Sequence, residues 1–225
     1  MTANPDLFSQ PLWQYLDYLG VIIFAVTGGL VAARLRQDFI AFLFFCAITG
    51  IGGGTLRDLL LGVPVFWVEN SSYLALCTAV AAVMWFTAEW VEARGRPLRW
   101  LDAAGISAYT VMGAAKALSL GHSASVAVLM GVSTATFGGI TRDVIAGQPS
   151  ALLQREIYLA AAFAGATTYV TLIYIFDAQF IAVSCGALAA FTLRAGAIAY
   201  GWSWPSYTPS DEKLTHVSKK KGEEE

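Results

Sequence analysis

Thr49-Gly50-Ile51-Gly52-Gly53-Gly54-Thr55-Leu56-Arg57-Asp58, with Gly62 and Pro64 just beyond, is the stretch from which the fold can be read. It recurs as Thr134-Ala135-Thr136-Phe137-Gly138-Gly139-Ile140-Thr141-Arg142-Asp143, followed by Gly147 and Pro149. Each copy sits in an apolar segment, where glycine weakens a helix and an Arg-Asp pair is expensive to bury. The match continues at a gapless offset of 85 residues: Asp17 with Asp102, Gly20 with Gly105, Gly28 with Gly113, and Tyr73-Leu74-Ala75 with Tyr158-Leu159-Ala160. So many agreements at one offset describe an internal duplication. Hydrophobic helices interrupted at matching places in two halves point to a transport site.

Composition fixes the medium. Hydrophobic residues make up 56% of the chain and charged residues 13%, with a mean hydropathy of +0.58. A soluble domain carries about 25% charged residues, so this chain is built for lipid. Seven apolar spans can be traced, starting near Trp13, Phe39, Ser72, Ala103, Ser123, Ile157 and Phe180. Three spans form each repeat, an odd number, so the second copy enters the membrane upside down. The expected fold is an all-α integral membrane protein with seven transmembrane helices. It comprises two inverted three-helix repeats and one extra C-terminal helix, with the second and fifth helices kinked at their glycines. The expected organisation is an external N-terminal segment (1–12), a first repeat (13–92), a basic cytoplasmic loop (93–101), an inverted second repeat (102–177), a seventh helix (178–201) and a disordered cytoplasmic tail (202–225).

Orientation follows from the basic residues. Arg34, Arg36, Arg94, Arg96, Arg99, Arg142, Arg155 and Lys213 fall on one side and essentially only Arg57 on the other. The positive-inside rule then places the N-terminus outside and the C-terminus in the cytoplasm. The start of the chain lacks the basic region of a cleaved signal peptide. No basic stripe suited to nucleic acid lies outside the tail. There is no nucleophile–base pair, no metal-ligand spacing and no phosphate-binding Gly-Lys-Ser/Thr loop, so an enzyme, a metal site and a cofactor are not expected. Cys46, Cys77 and Cys185 read as buried small residues.

Glycine brings bare backbone to a neighbouring helix and permits kinks that free carbonyls. Carbonyls and hydroxyls together can replace part of a cation's hydration shell. Gly52, Gly53, Gly54, Gly138 and Gly139 are the kink positions, and Thr49, Thr55, Ser133, Thr134, Thr136 and Thr141 are the polar lining candidates. Neighbours in sequence do not share a helix face. Arg57-Asp58 and Arg142-Asp143 are therefore expected to pair with other elements, as interfacial ion pairs or as a charged gate. Lys116 reads as a mid-span lysine with no carboxylate in helical register. Such a residue faces a watery cavity, where one charge crossing the field is worth about 2.3 kcal/mol per 100 mV.

With its GGGTLRD and GGITRD motifs, each followed by a Gly-x-Pro turn, the chain resembles the prokaryotic trimeric intracellular cation channel family over about residues 12–200. It also resembles bacterial membrane proteins with a glycine-transporter domain, which share the duplicated three-helix unit. The resemblance implies a homotrimer in the bacterial inner membrane, surrounded by lipid. Each subunit would conduct potassium and sodium through its own pore, lined by the kinked second and fifth helices. It makes Lys116 the voltage-sensing candidate. Animal members carry a longer basic tail and bind a phosphoinositide; the short, mixed-charge tail here does not carry that over. Two other readings stay open: a secondary transporter of a small amino acid such as glycine, and a scaffold whose glycines only pack helices.

Overall fold

A computed structural model describes residues 11–93, 97–150, 157–176 and 178–203. The expected N-terminal segment up to residue 10, the loop arginines Arg94 and Arg96, Arg155, and the tail from residue 204 with Lys213 lie outside the described residues. The order is α1 (Pro11–Arg34), α2 (Phe39–Leu60), a single turn α3 (Phe66–Glu69), α4 (Ser72–Glu92), α5 (Pro97–Ser119), α6 (Ala124–Ile145), α7 (Leu159–Phe176) and α8 (Gln179–Tyr200). Six of these, all but α3 and α5, are long and apolar enough to cross a membrane. With 23 residues α5 has the length, but it is the least apolar of the long helices because it is the central one. It packs against α1, α6, α7 and α8, and most of its residues are buried against protein.

The helix ends are written in the sequence. Asp38 caps α2 by accepting a bond from the Ala41 N–H at 2.8 Å. At the far end Gly62 takes φ +67°, the Val63 N–H reaches the Asp58 carbonyl at 3.1 Å and the Gly62 N–H reaches that of Leu59 at 3.3 Å. This is a Schellman stop, which spends two orphan carbonyls and is followed by Pro64. The end of α6 repeats it, with Gly147 at φ +63° and the Gln148 N–H on the Asp143 carbonyl at 2.9 Å. The Gly-x-Pro element of both motifs is thus a helix terminator. One boundary differs from expectation. α5 begins at Pro97, a residue preorganised for a first helical turn, and so takes up residues 97–101 assigned above to a loop.

The duplication is visible in the packing. The Tyr109 ring lies where a Cβ on Gly20 would be, and the Phe24 ring lies against Gly105, each position being 85 residues from its counterpart. These rings meet each other at a centroid distance of 5.3 Å where α1 crosses α5. Gly28 faces the Phe45 carbonyl and the Thr49 hydroxyl, just as Gly113 faces the Met130 carbonyl and the Thr134 hydroxyl. The α1–α5 and α2–α6 crossings therefore join the two repeats about a local twofold axis. Outside the repeat, α8 lies against α7 and α5. Cys46 and Cys77 are buried in the core as expected, whereas Cys185 faces outward on α8, since it falls on the side of that helix away from α5 and α7.

Candidate functional site

Where α2 crosses α6, a Cβ on Gly53 would run into the Thr134 carbonyl oxygen, and one on Gly138 into the Thr49 carbonyl oxygen. Gly52 lies against the Gly138 Cα. Bare backbone thus meets bare backbone, close enough for Cα–H···O contacts. The glycines do not interrupt their helices: both run helical from end to end through the motifs. The next glycines also sit under aromatic side chains, but ones the duplication does not relate: Gly54 lies under the Phe66 ring and the would-be Cβ of Gly139 lies 2.8 Å from the Tyr158 hydroxyl.

The hydroxyls look elsewhere. Thr49 donates to the Phe45 carbonyl and Thr55 to that of Ile51, both at 2.7 Å. Thr134 donates to the Met130 carbonyl and Thr136 to that of Val132. These bonds satisfy each donor one turn back along its own helix. Thr55 also accepts from the Trp67 indole N–H at 2.8 Å. Thr49, Thr134 and Thr136 are buried, and Ser133, Thr55 and Thr141 are half-buried. The polar atoms presented at the crossing itself are the two threonine carbonyls.

The first repeat ends in a charged cluster. Arg57 Nε lies 2.7 Å from Asp58 Oδ1, and Lys116 Nζ lies 2.8 Å from the same oxygen. Asp58 Oδ2 accepts the Phe66 N–H at 3.1 Å, so this carboxylate caps the start of the single turn α3. The Arg57 guanidinium lies 5.8 Å from the Phe66 ring centre. Buried Asp17, on α1, faces Arg57 and Tyr73. A cavity of about 330 Å³ opens onto this cluster, lined by Trp13, Asp17, Arg57, Glu69, Tyr73 and Lys116 among others.

Two expectations are corrected here. Lys116 is neither mid-span nor alone. It occupies the last turn of α5, where a cation complements the helix dipole, and its carboxylate partner comes from α2 rather than from its own helix. The adjacent Arg57 and Asp58 do bond to each other, because a long arginine can curl around the helix terminus to its neighbour; the expected pairing to other elements is present as well.

The second repeat ends in the counterpart. Arg142 lies 2.9 Å from Asp143 and 3.1 Å from Asp102, and donates to the Thr27 hydroxyl at 2.8 Å. Thr27 in turn donates its hydroxyl hydrogen bond to the Phe24 carbonyl at 2.7 Å. Here the bridge to the other repeat is α1, through Thr27, where the first cluster is bridged by α5, through Lys116. Tyr158 and the Arg194 guanidinium, 5.2 Å from its ring centre, complete the group. The sequence reading missed Asp17, Tyr73, Thr27, Asp102, Tyr158 and Arg194 as site residues. Four of the six were already matched at the offset of 85; a polar residue preserved by a duplication inside an apolar helix was the available signal.

The comparisons agree with this architecture. The family model described as "Glycine transporter" matches residues 14–89 and again 99–174, the same offset of 85. A membrane protein of Vibrio cholerae described as UPF0126 is 33% identical over 198 residues, covering 85% of this chain and 81% of that protein. The UPF0126 inner membrane protein YadS of Escherichia coli K12 is 33% identical over 86% of this chain and 95% of its own length. Among solved structures, the TRIC trimeric intracellular cation channel orthologue of Rhodobacter sphaeroides superposes with a TM-score of 0.83 at 45% identity, covering 86% of this chain and all of that one. A TRIC cation channel studied for its conductance gives a TM-score of 0.79 at 26% identity over 88% of this chain and 98% of that one. These solved relatives are described as channels, not enzymes. The chain belongs to the glycine-transporter family of duplicated three-helix membrane proteins, and it is an integral membrane protein with the prokaryotic TRIC channel fold.

Proposed function

We propose that this protein is a potassium-permeable channel for monovalent cations, assembled as a homotrimer with one pore in each protomer. The observation that carries the reading is the α2–α6 crossing, where the Thr49 and Thr134 carbonyls face glycine backbone between two charged clusters. Bare backbone on both sides makes this crossing the constriction of a path between the two helices, and 45% identity to a TRIC orthologue supports its use by a cation. In this reading Gly52, Gly53, Gly54, Gly138 and Gly139 set the width of the pore, flanked by the six hydroxyl residues. Arg57-Asp58 and Arg142-Asp143 close its two ends, and Lys116 responds to voltage by leaving or keeping Asp58. The protein lies in the inner membrane with its N-terminus outside.

A second reading, a carrier of a small amino acid such as glycine, draws on the cavity beside Lys116. Its wall holds Arg57 and Lys116 for a carboxylate, and Asp17 and Glu69 for an ammonium group. Proteoliposomes separate the two. A channel releases trapped potassium down its gradient at a rate indifferent to external glycine. A carrier exchanges labelled glycine and leaves potassium trapped, which would overturn the channel reading.

A further inference from the structure

α8 lies outside the duplicated unit, yet it sends a fully buried cation to the second charged cluster. Arg194 is 2% exposed and holds its guanidinium against the Tyr158 ring. The hydroxyl of the same ring and Asp102 Oδ2 lie 2.8 and 3.8 Å from the would-be Cβ of Gly139, with an Arg142 terminal nitrogen at 3.6 Å. Arg194 therefore stands one phenol ring away from the carboxylates of this cluster.

The comparison of the two clusters gives this position its meaning. In the first repeat, the carboxylates Asp17 and Asp58 are balanced by Arg57 and by Lys116 from α5. The residue related to Lys116 by the offset of 85 is Val31, which carries no charge. Among the described residues, the duplication alone would thus leave the second cluster with Asp102, Asp143 and Arg142. We infer that Arg194 is a positioning residue that supplies the missing charge, making the second cluster neutral and tying α8 to the corresponding end of the ion pathway. A charge buried in a membrane helix is costly unless it serves such a site, and the aromatic face of Tyr158 partly offsets its desolvation.

The inference rests on the channel reading, and current through the unmodified trimer in planar bilayers tests that reading separately. With current established, Arg194→Gln leaves the second cluster one charge negative and concentrates cations at that mouth. At 50 mM KCl the current entering from the C-terminal side should exceed the reverse current by about twofold. The asymmetry should vanish at 1 M KCl, where the screening length is about 3 Å. Arg194→Lys should behave as the unmodified protein. Asp143→Asn alone should rectify in the opposite sense, and the double variant Asp143→Asn/Arg194→Gln should lose rectification again. That pair keeps the test available if Arg194→Gln alone fails to assemble. A purely structural arginine would change trimer yield without salt-dependent rectification. Symmetric currents at 50 mM in Arg194→Gln, or an unaltered Asp143→Asn, overturn the inference.

Discussion

At the scale of single residues, the buried charges among the described residues gather in two places, and each is bound on several sides. Asp58 is fully buried and holds Arg57, Lys116 and the Phe66 N–H at once. Removing it takes from Arg57 and Lys116 the carboxylate they share, and breaking a buried pair in this way costs about 3–5 kcal/mol. Asp58→Ala should therefore lower the thermal midpoint of the detergent-solubilised protein far more than Glu69→Ala, whose carboxylate reaches solvent; equal shifts would contradict the assigned network. Lys116→Ala should reduce the voltage dependence of opening while leaving the unitary current nearly unchanged. Because Lys116 lies in a last turn, only a fraction of one elementary charge should be lost from the gating valence, and an unchanged valence would remove it as the sensor. Adjacent Arg-Asp pairs and a lysine with no carboxylate in helical register on its own helix gave no hint of this network, because periodicity reports one helix at a time. The partner of Lys116 comes from a helix more than fifty residues away.

At the scale of elements, the ends were far more legible than the middles. Glycine followed by proline marks the stops of α2 and α6 because only a left-handed residue closes the Schellman bonds there. α1 ends with the same bonds, but Arg36 occupies the left-handed position at φ 53°, the counterpart of Gly121 at φ +83°. Arg36→Gly should relieve this and stabilise the protein by roughly 1 kcal/mol, read as a rise in thermal midpoint; a fall would mean that the arginine side chain does more than the backbone strain takes away. The glycines inside α2 and α6 announced a special place, yet sequence could not separate a broken helix from a tight crossing, since both need missing side chains. The helices are unbroken, and closeness is what the glycines provide. Replacing Gly53 and Gly138 together with leucine should force α2 from α6 and abolish ion flux in a protein that still inserts and keeps its oligomeric state. Normal flux in that variant would rule out the crossing as the pathway.

At the scale of the whole molecule, an offset of 85 residues predicts not only the order of helices but which contacts repeat. Phe24 on Gly105 and Tyr109 on Gly20, or Thr49 facing Gly28 and Thr134 facing Gly113, are one arrangement used twice. What the duplication could not reveal is where the copies diverge: Lys116 against Val31, Met112 against Thr27, and the whole of α8. Those differences make the two ends of the molecule chemically distinct while the centre stays symmetric. The most direct test of this account is single-channel recording of the purified protein in a planar bilayer under a potassium gradient. Discrete current steps that reverse near the potassium equilibrium potential are the predicted result. Smooth, step-free bilayers over a wide voltage range, with protein shown to be inserted, would contradict a channel, because a carrier moves too few ions per cycle to be seen as steps.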